Sequence, residues 1–197
     1  MAAGTPHCGI LLAAGRSTRF GTDKLLHRLP DGTAIALASA RAMAAAMPRV
    51  VAVVRDDNPA LRDLLTGVGI AIVAAPTADE GMGRSIAAGV AATADAAGWV
   101  VGLADMPFIR AATIAKVLAA LAAGSPLAAP AIRGQRGHPV GFDRRFRPAL
   151  LALRGDEGAR QLLREHRVQL DLIECADAGI IADIDRPDDL GRDRGAA

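Results

Sequence analysis

Aromatic residues are scarce in this chain. They make up only 3% of the 197 residues, and tyrosine is absent. Proteins that bind RNA or single-stranded DNA commonly stack the bases on aromatic side chains. The formal net charge is +2 at pH 7, which is too close to balance to give a broad polyanion-binding surface. Both observations argue against nucleic acid as a partner.

Cysteine is also rare. Cys8 and Cys175 are the two cysteines of the chain, and they show neither C-x-x-C spacing nor a disulfide framework. Both lie in apolar stretches, which favours buried core residues over metal ligands or nucleophiles.

Long hydrophobic runs are missing as well. No stretch reaches the length of a membrane span without turn residues or charges. The apolar run near the N-terminus is interrupted by Gly15 and Arg16, so it is too short for the core of a signal peptide. We therefore expect a cytoplasmic protein without a membrane partner.

The remaining composition is that of a globular protein, with 51% hydrophobic and 22% charged residues. The length suits one domain over 1–197, with a tail from about 191 that we expect to be frayed. Apolar runs predict strands, and alanine-rich amphipathic stretches between them predict helices. Strands are predicted at 9–13, 49–54, 70–74, 99–103 and 127–131, and helices at 33–47, 58–65, 84–94 and 111–122.

This alternation predicts a parallel sheet with helices on both faces. The regular pattern ends after Arg133. We expect a short antiparallel strand at 140–142, helices at 146–153 and 158–166, and late strands at 168–173 and 180–184. The predicted fold class is α/β, a three-layer Rossmann-like architecture whose mostly parallel sheet carries an antiparallel strand and a small accessory segment.

Ligands of open α/β sheets bind beyond the carboxyl ends of the strands. After the first predicted strand comes a glycine-containing loop with three positive charges, Arg16, Arg19 and Lys24. Such a loop presents backbone N–H groups and cations to a phosphate. Its spacing matches neither the Walker A nor the dinucleotide fingerprint, and an ordinary turn with solvated basic residues is the alternative.

A carboxylate follows the fourth predicted strand. Asp105 is held there by Pro107 and is a candidate ligand for Mg²⁺, which prefers a few carboxylates plus substrate phosphates. The alternative is a cap for the helix that begins near Arg110. Asp183 or Asp185 could supply a second carboxylate, or could cap a turn ahead of Pro187.

Two further segments follow the third and fifth predicted strands. Gly81, Gly83 and Ser85 open a helix, which favours a contact with an anion or hydroxyl group, although both glycines could be simple turn residues. His138 lies in a turn-rich basic segment and is either a substrate contact or a structural histidine.

Phosphate-binding loops with a metal ligand, and without a Ser/His/Asp triad or an acid–base pair, indicate phosphoryl or nucleotidyl transfer. If the nucleophile is itself a phosphate, it is already anionic near neutral pH and no general base is required. The protein then aligns the reacting groups and stabilises the charge of the leaving pyrophosphate.

Six ordered segments resemble the MobA-like nucleotidyltransferases, and together they cover nearly the whole chain. Residues 12–24 resemble the signature L-A-A-G-x-S-x-R-x-G-x-x-K, and 104–107 resemble G-D-M-P, with Ala104 in place of its glycine. The other segments are 81–89, 136–140, 155–160 and 183–190.

The resemblance implies Mg²⁺-dependent transfer of a nucleoside monophosphate to a phosphorylated acceptor. Catalytic roles fall to Arg19, Lys24 and Asp105, metal binding to Asp105 and Asp185, and acceptor binding to Gly137 and His138. The nucleotide-binding residues are Leu12, Ala13, Ala14, Gly15, Arg16, Ser17, Arg19, Lys24, Pro76, Gly83 and Ser85.

Within this family, L-A-A-G resembles the MocA-like cytidylyltransferases, whereas the guanylyltransferases usually have L-A-G-G. The methyl group of Ala14 would crowd a purine more than a pyrimidine. The resemblance thus implies CTP and molybdopterin as substrates and a molybdenum hydroxylase as the receiver of the product. The alternatives are GTP, another phosphorylated acceptor, or a non-catalytic chaperone that carries the finished cofactor.

Overall fold

The computed structural model describes residues 5–15, 23–75, 77–186 and 189. Predicted site residues Arg16, Ser17, Arg19 and Pro76, and the predicted frayed tail, lie outside these ranges. The strands are β1 Cys8–Ala13, β2 Val50–Val54, β3 Ala71–Ala74, β4 Gly98–Leu103, β5 Leu127–Ile132, β6 Gln135–Arg136, β7 Val140–Asp143 and β8 Leu170–Glu174. The helices are α1 Ile35–Ala46, α2 Pro59–Thr66, α3 Met82–Ala92, α4 Ala111–Ala122, α5 Arg147–Ala152 and α6 Arg160–Glu165.

The strands form one mixed sheet in the order β3-β2-β1-β4-β7-β5-β6, with β8 on β5. Strands β1 to β4 are parallel, and β8 is parallel to β5. Strand β7 lies antiparallel between β4 and β5, and β6 is antiparallel to β5. The predicted α/β fold with an antiparallel strand is therefore confirmed.

The side chains of β1 show why the sheet is covered on both faces. Leu11 and Ala13 pack with helices α1, α2 and α4, whereas Ile10 and Leu12 pack with α3, α5 and α6. Successive side chains of a strand point to opposite faces, so an uninterrupted apolar run is buried on both sides. The result is the predicted three-layer arrangement.

The predicted late strand at 180–184 is wrong. Residues Ala178–Ile181 form a 3₁₀ turn, and the chain beyond it is irregular. The Asp177 carboxylate accepts the N–H of Gly179 and starts the turn. Ile180 and Ile184 are buried, but their backbone bonds go to the loops at His138 and Asp105 rather than to a strand. Burial in the core produced an apolar pattern that resembles a strand.

Among the described helices, none is long and apolar enough to cross a membrane. That the chain forms one domain remains a prediction. The strands that run parallel end at one edge of the sheet, and the loops beyond that edge carry the candidate site.

Candidate functional site

The predicted lysine and the two predicted metal-binding carboxylates meet at one point. The Nζ atom of Lys24 donates to Asp105 Oδ2 at 2.8 Å and to Asp185 Oδ1 at 2.9 Å. A third bond goes to the carbonyl oxygen of Ile184 at 2.9 Å. Residues 81 and 161 positions apart in the sequence thus converge on one ammonium group.

Lys24 is placed by a short 3₁₀ turn, Lys24–Leu26. The carboxylate of Asp23 accepts the N–H of Leu25 and caps the turn, as short polar side chains do at helix starts. The amide of Asn58 donates to the other oxygen of Asp23 and ties the turn to the start of α2. The base of the lysine side chain is therefore held from two sides.

Asp105 follows β4 and is fixed through the backbone around it. Ser39 on α1 donates to the carbonyl of Ala104 at 2.9 Å, and the N–H of Ile184 donates to the carbonyl of Asp105 at 3.0 Å. The start of α4 is satisfied by another residue, since buried Asp177 accepts the N–H of Arg110 and the hydroxyl of Thr113. The carboxylate of Asp105 is thus directed at Lys24 and does not cap the helix.

Asp185 lies in the irregular segment after the 3₁₀ turn. Asp189 accepts the N–H groups of Asp185 and Arg186 and bends this segment. The Asp185 side chain is 46% exposed, compared with 24% for Asp105. Asp105 is therefore held at the edge of the sheet, whereas Asp185 approaches Lys24 from the side that is more exposed to solvent.

The charge state of Lys24 reflects these partners. Burial by itself would lower the pKa of Lys24, but the charge of Asp105 and the hydrogen bonds to both carboxylates outweigh it, so the pKa lies above its ordinary value. Lys24 is consequently an ammonium ion at neutral pH, and its charge is balanced by two carboxylates.

A cavity of about 550 Å³ opens beside this cluster. Its wall includes six of the predicted nucleotide-binding or metal-binding residues, Leu12, Ala14, Gly15, Lys24, Ser85 and Asp105. Ala13 is buried in the core on the opposite face of β1, as strand alternation requires. We refer to this space as the first cavity.

Arg55 lies in the wall of the first cavity and was missed by the sequence analysis. It directly follows β2, and its guanidinium donates two bonds to Asp57 at 2.8 Å each and one to Asp79. The rule that ligands bind beyond the carboxyl ends of parallel strands applies to β2 as well. Extending it to that strand would have found this arginine.

Gly81 and Gly83 have a packing role that the helix-start pattern did not reveal. A Cβ atom on Gly81 would lie 2.3 Å from the carbonyl carbon of Gly155, and one on Gly83 would lie 2.8 Å from the backbone nitrogen of Arg154. The N–H of Gly83 donates to the carbonyl of Gly155 at 2.9 Å. Both glycines let the loop at 154–156 approach α3 closely, and nucleotide binding by Gly83 remains a prediction.

A second cavity of about 360 Å³ adjoins the first. The two share wall residues Leu12, Met82, Leu103 and Asp156. Gly137 and His138, the predicted acceptor-binding residues, line the second cavity. Its other charged or polar wall residues are Gln135, Arg136, Asp156, Glu157, Arg160 and Asp183. Of these, only Asp183 was predicted as a candidate, for the second metal-binding carboxylate.

Two carboxylates that share one cation suit a hard divalent metal. Among the described residues, no three His, Cys, Asp or Glu side chains lie together as a complete metal site. Mg²⁺ is commonly held by one or two carboxylates, with substrate phosphates and water completing its shell. The ammonium of Lys24 demonstrates that Asp105 and Asp185 can reach a single cation.

The model of the MobA-like NTP transferase domain family matches residues 9–170. The chain belongs to this family. Among known MobA-like proteins, purine catabolism protein PucB of Bacillus subtilis strain 168 is 31% identical over 195 residues, which is 92% of each chain. Nicotine blue oxidoreductase of Paenarthrobacter nicotinovorans is 31% identical over 193 residues, covering 93% of this chain and 94% of the relative.

Solved structures agree with this MobA-like assignment. Rv0371c of Mycobacterium tuberculosis superimposes with a TM-score of 0.84 at 26% identity over 95% of this chain and 96% of the other. A structure of Rv0371c in complex with manganese gives a TM-score of 0.79 over 94% and 96% of the two chains. A divalent metal is thus bound in a homologue. PucB and nicotine blue oxidoreductase belong to the MocA-like branch, as the L-A-A-G resemblance predicted for this chain.

Proposed function

We propose that this chain is a Mg²⁺-dependent cytidylyltransferase that transfers CMP from CTP to the terminal phosphate of molybdopterin. The observation that carries the proposal is the cluster of Lys24, Asp105 and Asp185, of which Lys24 and Asp105 lie on the wall of the first cavity. A cation paired with two carboxylates at the carboxyl edge of a sheet suits a metal–triphosphate complex better than a neutral ligand.

Asp105 and Asp185 are the residues that would hold Mg²⁺. When bound, the metal supplies positive charge that offsets the charge of the triphosphate and of the leaving pyrophosphate. The ammonium group of Lys24 would then donate to phosphate oxygens of the nucleotide in place of the two carboxylates. Its three donors then orient the β- and γ-phosphates, together with the predicted contact from Arg19.

The proposed reaction needs alignment more than acid–base catalysis. A terminal phosphate oxygen of the acceptor attacks the α-phosphorus of CTP, the bond from that phosphorus to the bridging oxygen breaks, and pyrophosphate leaves. The attacking oxygen is already anionic near neutral pH. The two adjoining cavities suit this reaction, because one can hold the nucleotide while the other holds the acceptor.

The choice of CTP rests on the small side chains in the wall of the first cavity. Ala14 is buried, with 5% of its surface exposed, and lies in that wall beside Leu12 and Gly15. Its methyl group takes space that a glycine would leave open for the larger ring system of a purine. The transfer of the product to a molybdenum hydroxylase is part of the same proposal.

Pyrophosphate release tests this function directly. The protein is incubated with Mg²⁺ and molybdopterin and with CTP, GTP, ATP or UTP in turn. We expect release with CTP at a rate at least about tenfold above that with the other three nucleotides. Release with another nucleotide overturns the choice of base. A folded protein that binds molybdopterin or its nucleotide form and releases no pyrophosphate is a carrier and not an enzyme.

A further inference from the structure

The second cavity contains a cluster of basic groups, Arg136, Arg160 and His138, that we call the arginine subsite. Arg136 is the last residue of β6 and is half-buried, whereas Arg160 begins α6 and is exposed at the cavity wall. His138 follows Arg136 by two positions and faces the same space. Strand β6 and helix α6, which are distant in sequence, thus bring two guanidinium groups to one cavity.

Neither arginine of the subsite has an acidic partner in the part of the chain that the structure describes. Six other described arginines form ion pairs, Arg49, Arg55, Arg62, Arg84, Arg145 and Arg164, whereas Arg136 and Arg160 belong to the described arginines that form none. Burial lowers the pKa of Arg136, and the like charge of Arg160 lowers it further. Two guanidinium groups that repel each other in a concave site are stabilised by a shared anion.

His138 adds a polar atom that lacks a partner. Its Nδ1 atom is buried and forms no hydrogen bond within the described residues. Burial and the charge of Arg136 lower the pKa of His138 to about 4, against the attraction of Asp105, so the ring is neutral at pH 7. A buried polar atom without a partner is costly, but Nδ1 is screened from solvent, so the contacts to a ligand fall to the two guanidinium groups.

The acidic residues of the second cavity do not cancel the arginine charges. Glu157 is paired with Arg164 at 2.8 Å, outside the arginine subsite. Asp156 is exposed and belongs to the wall shared by both cavities. Asp183 is exposed in the irregular segment that follows the 3₁₀ turn Ala178–Ile181. No ion pair joins these three carboxylates to Arg136 or Arg160 in the described structure.

We propose that Arg136 and Arg160, beside His138, bind the phosphate monoester of the acceptor and present it to the nucleotide in the first cavity. This inference rests on the proposed function, since it assigns the part of the site that recognises the acceptor. Planar guanidinium groups match the oxygens of a phosphate and can bind it through two parallel hydrogen bonds. The wall shared through Leu12 and Leu103 places such a phosphate next to the nucleotide cavity.

The first test is a titration with inorganic phosphate, followed by NMR of the arginine Nε–H and histidine ring signals. We expect saturable shifts of Arg136, Arg160 and His138. The change Arg160→Gln should raise the phosphate Kd about tenfold, and Arg160→Lys should raise it less. Because Arg160 is exposed, its replacement leaves the core untouched, and circular dichroism checks that the variant is folded.

Arg167→Gln is the matched control. It removes the same charge just beyond α6, from an exposed residue that lies outside the cavity wall, so its phosphate Kd should stay within about twofold of wild type. Absence of shifts at Arg136 and Arg160, or an equal loss of affinity in the two variants, overturns the subsite.

Steady-state kinetics supply a second readout. With Arg160→Gln we expect the KM for molybdopterin to rise about tenfold while the KM for CTP stays within about twofold. A rise in the KM for CTP alone contradicts the assignment. If CTP gives no pyrophosphate but phosphate still shifts the arginine signals, the proposed function fails and the subsite stands. If pyrophosphate is released but inorganic phosphate shifts none of the arginine signals, the proposed function stands and the subsite is overturned.

Discussion

The two adjoining cavities differ in how their charged side chains are paired. In the first, Lys24 is paired with Asp105 and Asp185, and Arg55 is paired with Asp57 and Asp79. In the second, Arg136 and Arg160 have no acidic partner among the described residues, and His138 is neutral at pH 7. The first cavity can receive a metal and a triphosphate together, because the cation and the carboxylates exchange partners without leaving a charge alone. The second is prepared for a ligand that brings negative charge of its own.

This difference predicts which changes affect the reaction and which affect a single substrate. Groups that are paired with each other should act together, so that loss of one leaves the other unbalanced. Arg136 and Arg160 face the second cavity without an acidic partner among the described residues. Their replacement should therefore change the affinity for the ligand that binds in that cavity.

Loss of the Asp105 carboxylate should have the largest effect. Asp105→Asn removes the less exposed of the two carboxylates on Lys24, and with it a proposed metal ligand, so we expect kcat for pyrophosphate release to fall at least about 1,000-fold. The thermal midpoint should change by only a few degrees, since the side chain is outside the core clusters. Asp63→Asn, on the exposed face of α2, is the control and should retain wild-type activity. A rate for Asp105→Asn close to wild type refutes its assignment as a metal ligand.

Removal of the Lys24 ammonium should act mainly on the nucleotide. Lys24→Ala leaves Asp105 and Asp185 without their shared cation and removes three donors for phosphate oxygens, so the Kd for CTP in the presence of Mg²⁺ should rise about 10- to 100-fold. Calorimetric titration measures this change. Lys116→Ala, on an exposed position of α4, removes an equal charge and should bind CTP normally. An unchanged CTP affinity in Lys24→Ala contradicts the role of the first cavity.

The wall shared by the two cavities should be sensitive to a single methyl group. Gly83→Ala places a Cβ atom 2.8 Å from the backbone nitrogen and 2.9 Å from the carbonyl oxygen of Arg154, so the loop that carries Asp156 must move. We expect a loss of about 1–3 kcal/mol in the free energy of unfolding, and weaker binding of both CTP and molybdopterin. In Gly67→Ala the nearest backbone atom is 3.3 Å away, and its unfolding free energy should change less. Equal stability of the two variants would show that the loop yields without cost.

The neutral histidine should affect stability only at acid pH and leave it unchanged near neutrality. The pKa of His138 is about 4 in the folded chain, compared with an ordinary value of 6.5, so the unfolded chain takes up the proton first as the pH falls. This contribution is absent at pH 7.5, and it should lower the free energy of unfolding by about 2 kcal/mol by pH 5. His138→Gln should lack this part of the acid sensitivity. Urea unfolding of both proteins at the two pH values measures it, and an identical pH dependence would contradict the burial of a neutral ring.

The sequence predicted the centre of the parallel half of the sheet well because β1, β2 and β4 are buried on both faces. Their uninterrupted apolar runs are only five or six residues long and end at turn residues, which favours a buried strand over a helix. The accessory half was harder. Ile180 and Ile184 are apolar because they pack in the core. The 3₁₀ turn Ala178–Ile181 starts at Asp177, and the segment bonds to the loops at His138 and Asp105.

The candidate site was predictable only where its residues follow a predicted strand. Asp105 was found by its position directly after β4, and its convergence with Asp185 follows from tertiary contacts that spacing does not contain. Arg55 was missed because the loop after β2 was not considered. Arg136 and Arg160 were missed as a pair because β6 and α6 line the same cavity only in the folded chain.

Transfer of a labelled phosphate tests the central claim most directly. The protein is incubated with Mg²⁺, molybdopterin and CTP labelled with ³²P at either the α- or the γ-position. We expect the α-label to appear in the molybdopterin product and the γ-label in pyrophosphate. With Asp105→Asn, both labels should remain in CTP. A folded wild-type protein that binds CTP and molybdopterin yet leaves the α-label in CTP would contradict nucleotidyl transfer at this site.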